Sequence, residues 1–276
     1  MKKERLMVKV GGSLFYGDTE LIEGVVSSLC AITGQYQVVL IVGSGPMGEF
    51  YKSIRKRVGI NASLPSVPGY TDDKVIWNLI QAINLRLISF AIQQNVAHPQ
   101  TAFFDESASL DCLKACKADF IMITPSDELI SRRWQEYGKQ LHGREKIDFE
   151  SVNCQKSDLK ALIYGDMLAI NRYIVLTDVP GVFSDDPGKN ADAMLFGQLS
   201  FEELKDIEFP RNGLPGRSTS LDRGVSLLLG KLLPNGSELY VTSHDFFARM
   251  RDDRQKDLFE YLKKGGTWIS GNIHML

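Results

Sequence analysis

The sequence lacks the features that define several large classes of protein. Only four of its 276 residues are cysteines, none forms C-x-x-C, and a chain of this length needs no disulfides to fold. The four histidines form no H-x-x-x-H pair, which argues against a histidine-based metal site. No run approaches the roughly 20 apolar residues of a membrane helix, and the N-terminus has no signal-peptide core. We therefore expect reduced cysteines, a cytoplasmic location, no membrane span and no protein-ligated metal.

The chain also lacks a strong charge of either sign. It has 32 Lys and Arg residues against 34 Asp and Glu residues, a net charge of −2. Neither nucleic acid nor an anionic membrane surface is indicated as a partner by this balance. With 43% hydrophobic and 24% charged residues, the composition is that of an ordinary globular protein. We expect a small-molecule partner.

Strand and helix patterns alternate along the chain. Continuous apolar runs at residues 6–10 and 37–42 predict buried strands, and residues 19–32 between them have helical spacing. Further strands are predicted at 120–123, 172–176, 239–241 and 267–269, and further helices at 48–58, 72–95 (after Thr71), 157–168, 201–206, 218–233 and 253–263. This alternation predicts a parallel sheet covered by helices. The polar stretch 126–150 is interpreted either as a mobile flap over a substrate or as a solvated surface excursion.

A glycine fingerprint follows the second predicted strand. Gly43, Gly45 and Gly48 have the spacing G-x-G-x-x-G, which is found in dinucleotide-binding proteins. Those proteins place the fingerprint after the first strand and an acidic residue about 20 residues later, at the end of the next strand. Here that region is SLPSVPGY, a proline-containing loop. An NAD(P)-binding protein of the Rossmann type is therefore the weaker alternative.

The first predicted strand ends in a glycine loop as well. It carries Lys9, followed by Gly11, Gly12 and Ser13. In a parallel sheet both glycine loops lie at the same edge, where open α/β sheets bind ligands. Two loops with exposed amides and one lysine could hold a polyphosphate from two sides. Each loop by itself is better explained as a tight turn between a strand and a helix that needs glycine.

A third segment, residues 156–187, has the most specific pattern. It contains Ser157-Asp158 at the start of a predicted helix, a buried strand, and then T-D-V-P-G-V-F-S-D-D-P. Together with VKVGGS and VGSG in this order, the chain resembles the amino acid kinase superfamily. That superfamily includes acetylglutamate, glutamate, aspartate, carbamate, uridylate and isopentenyl phosphate kinases. The absence of G-x-x-x-x-G-K-[ST] means that a kinase here must hold phosphate without a P-loop.

The resemblance implies a fold and an activity. The fold is an α/β/α sandwich with a mostly parallel central sheet, one continuous domain with an acceptor-binding lobe (1–155) and a nucleotide-binding lobe (156–276). The activity is transfer of the γ-phosphoryl group of ATP, with Mg²⁺ carried on the phosphates, to a small carboxylate, carbamate or phosphate monoester. A homodimer or larger oligomer is implied too, with the long helix after Thr71 either at its interface or packed only on its own sheet.

The resemblance also implies roles for individual residues. Lys9 would neutralise charge during transfer, Asp158 would orient Lys9, and Arg217 would contact the phosphates where the family often has lysine. Amides of the first glycine loop would bind the β- and γ-phosphates (Gly11, Gly12, Ser13), and the second loop would face the acceptor (Gly43, Ser44, Gly45). The nucleotide would be held by Thr177, Asp178, Gly181, Phe183, Asp186 and Pro187.

Simpler interpretations of these residues stay open. Lys9 is also explained as a surface lysine at a strand end, Asp158 as a helix cap, and Asp178 as a turn residue. Arg217 and Pro46 depart from the family pattern, since arginine is no neutral replacement for lysine and proline removes an amide donor. A second hypothesis is therefore a catalytically degenerate member that binds nucleotide for storage or regulation.

Overall fold

The fold is built on one eight-stranded sheet. The computed structural model describes residues 3–16, 18–45, 72–93, 99–141, 152, 154, 156–208, 220–222, 224–231, 236–252 and 257–271. The strands are β1 (Glu4–Val10), β2 (Tyr36–Val42), β3 (Thr101–Phe104), β4 (Phe120–Ile123), β5 (Arg172–Thr177), β6 (Gln198–Ser200), β7 (Glu238–Ser243) and β8 (Gly266–Ser270). Their order across the sheet is β3-β4-β2-β1-β5-β7-β8-β6.

Helices connect most of the strands. The described ones are α1 (Thr19–Ile32), α2 (Asp72–Gln93), α3 (Leu110–Ala115), α4 (Asp127–Leu141), α5 (Ser157–Met167), α6 (Phe201–Glu208), α7 (Val225–Lys231), α8 (His244–Ala248) and α9 (Leu258–Leu262). Short 3₁₀ turns occupy Gly12–Tyr16 and Arg249–Asp252. No helix among the described residues is both long and apolar enough to cross a membrane.

The sheet is parallel except for one pair of strands. Only β7 and β8 run antiparallel among the described pairs, and β6 pairs in parallel with β8 at one edge. The strands in the centre are buried on both faces, which is why their sequences are continuous apolar runs instead of alternating ones. The predicted α/β fold with a mostly parallel sheet is confirmed.

Successive side chains of each strand enter different cores. Val8 and Val10 pack on the face covered by α1, α2, α8 and α9, whereas Met7 packs on the face covered by α4, α5 and α7. Side chains alternate along a strand, so Lys9 points to the same face as Met7, toward α5. The three layers of the predicted sandwich follow from these two cores.

The polar stretch after β4 is a packed helix, which corrects the prediction of a flap or surface excursion for residues 127–141. Helix α4 buries Ile130, Trp134 and Tyr137 against the core. Their spacing of four and three residues places them on one helix face. Glu128, Arg132 and Glu136 are exposed, whereas Asp127 at the start of the helix is buried. Two further predictions were inaccurate: α7 is shorter than 218–233, and α9 is shorter than 253–263. The predicted helix at 48–58 lies outside the described residues.

Candidate active site

Four strand ends meet at one edge of the sheet. Val10 is paired with Val42 of β2 and with Leu176 of β5, and Thr177 is paired with Ser243 of β7. The loops that follow these strands contain most of the residues that the sequence predicts to be functional. The carboxyl ends of parallel strands are where open α/β sheets bind ligands.

Hydrogen bonds tie the first glycine loop to the neighbouring strand. The amide of Gly11 donates to the carbonyl of Leu176 at 2.8 Å, so it is not directed at a ligand. This amide is thus occupied by the neighbouring strand, and its binding of phosphate stays a prediction. Gly11 is needed for space instead, because a Cβ there would lie 2.9 Å from the Leu176 oxygen and 3.3 Å from the ring of His244. Gly12 and Ser13 open the 3₁₀ turn, whose first amides have no partner within the turn.

The two glycine loops contact each other directly. A Cβ on Gly12 would lie 2.1 Å from the amide nitrogen of Gly45, which itself has a φ of +59°. The loops follow adjacent strands, and neighbouring strands are only about 4.8 Å apart. No phosphate fits between Gly12 and Gly45 in this arrangement. That the two loops hold a polyphosphate from two sides stays a prediction. A ligand must lie along their outer side.

The second loop is fixed by one backbone hydrogen bond and one side-chain hydrogen bond. Its Gly43 amide donates to the Val10 carbonyl at 2.8 Å, and its Gly43 carbonyl accepts from the buried Asn84 side chain of α2 at 2.9 Å. A Cβ on Gly43 would lie 3.4 Å from the Ser157 hydroxyl at the start of α5. Ser44 and Gly45 continue from this point and are half-buried. The predicted acceptor loop is thus held close to the helix that carries Asp158.

A buried ion pair joins Lys9 to Asp158. The Lys9 ammonium lies 2.8 Å from Oδ1 of Asp158, and the two side chains are 10% and 3% exposed. Lys9 is therefore not an ordinary surface lysine. Asp158 does not cap its helix either, because Lys156 occupies the N-cap and makes no side-chain cap hydrogen bond. Both simpler interpretations are wrong, and the pair stands beside the glycine loops.

Asp222 is a third member of this cluster, and no sequence pattern predicted it. The amide of Asp158 donates to Oδ2 of Asp222 at 3.0 Å, and the amide of Asp222 donates to Oδ2 of Asp158 at 2.9 Å. Asp222 lies in a turn before α7 that Gly224 completes with a φ of +100°. An Asp two residues before a Gly and an apolar helical run was the signal that could have located this turn.

The cluster has more negative than positive charge. Burial by itself would lower the pKa of Lys9, but Asp158, Asp222 and the more distant Asp178 outweigh it and raise this pKa. Burial, then the neighbouring Asp158 carboxylate, raises the pKa of Asp222 to about 6, against the opposing effect of Lys9. Lys9 is thus a permanently charged ammonium whose immediate neighbours are carboxylates.

A pocket of about 360 Å³ lies beside this cluster. Five residues predicted to hold the nucleotide line it: Thr177, Asp178, Phe183, Asp186 and Pro187. The Thr177 hydroxyl donates to Oδ1 of Asp178 at 3.0 Å, which fixes the first turn after β5. Asp186 accepts the amide of Gly188 and pairs with Lys189, which orders the far wall. No group of three or more His, Cys, Asp or Glu side chains in the described part of the chain could hold a metal ion.

Gly181, a sixth predicted nucleotide residue, is not part of the pocket lining. A Cβ on Gly181 would lie 2.4 Å from the Thr267 hydroxyl of β8. That hydroxyl accepts the Val182 amide at 2.8 Å and donates to the Phe196 carbonyl at 2.5 Å. Gly181 therefore allows the loop to approach β8, and Thr267 is a supporting residue that the sequence analysis did not find. Arg217, Pro46 and Thr71 lie outside the described residues.

The chain is similar to several known proteins. Residues 4–224 match the model of the amino acid kinase family. The chain belongs to the amino acid kinase family. A uridylate kinase of Pyrococcus abyssi is 22% identical over 251 residues, which cover 90% of this chain and 94% of that protein. A uridylate kinase of Thermofilum pendens is 24% identical over 225 residues, covering 78% and 79%.

Solved structures of the family share the fold. A UMP kinase from Bacillus anthracis aligns with a TM-score of 0.63 at 15% identity, covering 99% of this chain and 98% of that one. A uridylate kinase from Archaeoglobus fulgidus aligns with a TM-score of 0.59 at 16% identity, covering 97% and 100%. The predicted family and the predicted enzyme class, a small-molecule kinase, are confirmed. The Rossmann alternative finds no support.

Proposed function

We propose that this chain is an ATP- and Mg²⁺-dependent kinase that phosphorylates a small anionic acceptor. The observation that carries the proposal is the buried Lys9–Asp158 pair at the edge where both glycine loops meet. A buried ammonium beside a ligand edge stabilises charge on a phosphoryl group far better than a solvated one does. Phosphoryl transfer needs positioning and charge stabilisation more than covalent chemistry from the protein.

Lys9 is the residue that we propose to stabilise the transferred group. Its position on β1 is rigid, because the strand is paired on both sides and buried on both faces. Asp158 and Asp222 keep the ammonium charged, and the ion pair with Asp158 of α5 orients it. Removing one such charged donor commonly costs about 3 kcal/mol of transition-state stabilisation, or roughly a hundredfold in rate.

The pocket after β5 is the proposed nucleotide site. Phe183 supplies an aromatic face for a base, and Thr177 and Asp178 supply polar groups next to it. Asp178 is close enough to Lys9 to raise its pKa, so a polyphosphate leaving this pocket would run toward Lys9. Gly12 and Ser13 would supply amide donors on the way. Mg²⁺ would neutralise phosphate charge, held mainly by phosphate oxygens and water.

Among the three acceptor classes, we favour a phosphate monoester. The support is that the curated relatives named above are uridylate kinases, whose names give a nucleoside monophosphate as acceptor. The acceptor would lie along the second glycine loop, at Gly43, Ser44 and Gly45, within the first of two lobes divided near residue 155. UMP is accordingly the first acceptor to test, ahead of carboxylates and carbamates.

We also propose that the chain forms a homo-oligomer through α2. Ile83 and Leu87 are 51% and 48% exposed on this helix although both are large and apolar. They are one helical turn apart and so belong to one face. Phe103 of the edge strand β3 is also exposed, beneath Arg86 of the same helix. A second copy that covers these side chains would remove them from water.

The test is an assay of ADP formation with ATP, Mg²⁺ and one acceptor at a time. UMP, aspartate and carbamate represent the three acceptor classes. Lys9→Met removes the proposed charge, and Lys3→Met, at the opposite edge of the sheet, is the matched control. We expect turnover with UMP, a loss of about a hundredfold in kcat for Lys9→Met, and wild-type kcat for Lys3→Met.

The remaining outcomes separate the alternatives. Binding of a non-hydrolysable ATP analogue, measured by calorimetry, without turnover of any acceptor would support the degenerate storage or regulatory member. Absence of nucleotide binding would refute the kinase proposal. Equal losses in Lys9→Met and Lys3→Met would mean that the assay reports stability and not the chemistry at Lys9.

A further inference from the structure

One buried histidine, His244, lies next to the first glycine loop and near Lys9, and it has no role in the proposed phosphoryl transfer. His244 follows β7 directly and is the first residue of α8. Its side chain is 3% exposed. The ring crosses the end of β5 to reach the first glycine loop, where Cε1 and Nε2 would both lie 3.3 Å from a Cβ on Gly11. His244 therefore adjoins the first glycine loop, close enough to Lys9 and to Asp178 for both charges to affect it.

Only one of the two ring nitrogens of His244 has a hydrogen-bond partner among the described residues. It hydrogen-bonds with the backbone of Leu176, the residue whose carbonyl also accepts from Gly11. Its Nε2 is buried and has no hydrogen-bond partner among the described residues. A buried polar atom without a partner costs free energy, so natural proteins retain few of them. Such an atom at the edge of a ligand site indicates that the ligand supplies the partner.

The surroundings keep this ring neutral in the free protein. Burial, then the Lys9 ammonium, lowers the pKa of His244 to about 4. Asp178 after β5, Asp245 on α8 and the Leu176 backbone act in the opposite direction but do not compensate. Bound phosphates would add several negative charges next to the ring, and an opposite charge within about 4–6 Å favours the protonated form. Phosphate binding and protonation of His244 must then be coupled.

We propose that His244 is a phosphate-contacting residue, whose Nε2 takes a proton from solvent and donates a hydrogen bond to the nucleotide polyphosphate. This inference rests on the proposed function, since it requires that a nucleotide occupy the site. The protonated ring and the Lys9 ammonium would then place two positive charges next to the polyphosphate. No bond other than N–H forms, and the proton returns to solvent when the nucleotide leaves. Nucleotide affinity accordingly rises as the pH falls toward 5.

The direct test is NMR of the histidine rings in the full chain. Nitrogen shifts of ¹⁵N-labelled imidazoles report which nitrogens carry protons, and His244→Asn assigns the His244 signals. The other three histidines (His98, His142 and His274) provide internal references. We expect His244 to stay neutral in the free protein down to about pH 5. With a non-hydrolysable ATP analogue and Mg²⁺ bound, its protonation midpoint should rise by at least one pH unit.

Two negative results are distinguishable in this experiment. If the analogue binds and the His244 signals do not change, the inference is wrong although the proposed function stands. If calorimetry detects no analogue binding, the proposed function is refuted and this inference falls with it. These two results cannot be confused, because calorimetry measures nucleotide binding independently of the histidine signals.

Kinetics distinguish phosphate contact from mere packing against Gly11. At pH 5, where the bound state carries the proton, we expect KM for ATP to be about tenfold higher in His244→Asn than in wild type, the equivalent of one lost charged hydrogen bond, with kcat within about threefold. We also expect the rise in ATP affinity between pH 7 and pH 5 to disappear. An unchanged KM at pH 5, or the same pH dependence of KM in the variant and the wild type, would overturn the proposal.

Discussion

Helix α5 contributes one partner to each of two buried ion pairs, and the pairs differ in their surroundings. Asp158 lies 2.8 Å from Lys9, and Lys160 lies 2.6 Å from Asp127. The side chains of all four residues are at most 10% exposed. Residues two apart on a helix do not face the same way, so one pair reaches β1 and the other reaches the start of α4.

The difference between the pairs is the charge around them. Lys9 is surrounded by Asp158, Asp222 and Asp178, and it lies at the ligand edge of the sheet. Lys160 joins the first residue of α4 to α5 inside the helical layer. An ion pair that only fixes two helices needs one charge of each sign. The surplus of carboxylates around Lys9 instead raises its pKa and keeps the ammonium charged. Clusters of groups with perturbed pKa values are typical of functional sites.

The largest stability effect is expected from breaking the Lys160–Asp127 pair. Lys160→Met leaves the Asp127 carboxylate buried without its cation, which should lower the free energy of unfolding by about 3 kcal/mol. Urea denaturation measures this loss. Removing both charges in Lys160→Met/Asp127→Leu should restore most of it, because no unpaired charge remains. The kcat of folded Lys160→Met should equal that of wild type. A hundredfold loss of kcat would instead assign the second pair to the active site.

A smaller effect with a defined pH dependence is expected for Asp222→Asn. The folded-state pKa of Asp222 is about 6, above its ordinary value of 3.8. As the pH falls, Asp222 therefore becomes protonated in the folded chain at a higher pH than in the unfolded chain. Wild type should therefore gain about 1–2 kcal/mol in free energy of unfolding relative to Asp222→Asn between pH 7 and pH 4. Asn keeps an acceptor for the Asp158 amide, so the hydrogen bond survives.

Urea denaturation at a series of pH values measures this difference. Asp192→Asn, which removes an exposed carboxylate in the loop before β6, is the matched control. If wild type instead loses stability relative to Asp222→Asn as the pH falls, the pKa of Asp222 is lowered and not raised. The cluster around Lys9 would then hold no surplus of buried negative charge, and the contrast with the Lys160 pair would disappear.

The sequence predicts the central strands well and the edges poorly. Strands β1, β2 and β5 are buried on both faces and therefore appear as continuous apolar runs. The edge strands β3 and β6 have four and three residues, and neither was predicted. Short edge strands bury little side-chain surface, so their sequences contain little pattern. Helix α4 was misread because its charged residues outnumber the three large side chains that it buries.

Local sequence patterns also predict only part of the candidate site. Lys9 and Asp158 could be located because each belongs to a local motif. Asp222 and His244 could not, since their contacts join segments that are far apart in the sequence. Asp222 meets Asp158 across 64 residues, and His244 reaches Gly11 over the end of β5. Local patterns indicate where strands end, whereas the pairing between strand ends decides which side chains meet.

The smallest effect is expected from an ion pair of equal length at the surface. Lys3 lies 2.7 Å from Asp119, but the two side chains are 39% and 28% exposed. Water already solvates both charges, so Lys3→Met should change the free energy of unfolding by less than about 1 kcal/mol, and less still in high salt. Urea denaturation at low and high ionic strength measures both values. A loss as large as that of Lys160→Met would mean that the distance between the charges, and not their burial, sets the cost of breaking these pairs. The charges around the Lys9–Asp158 and Lys160–Asp127 pairs could then no longer explain how these two buried pairs differ.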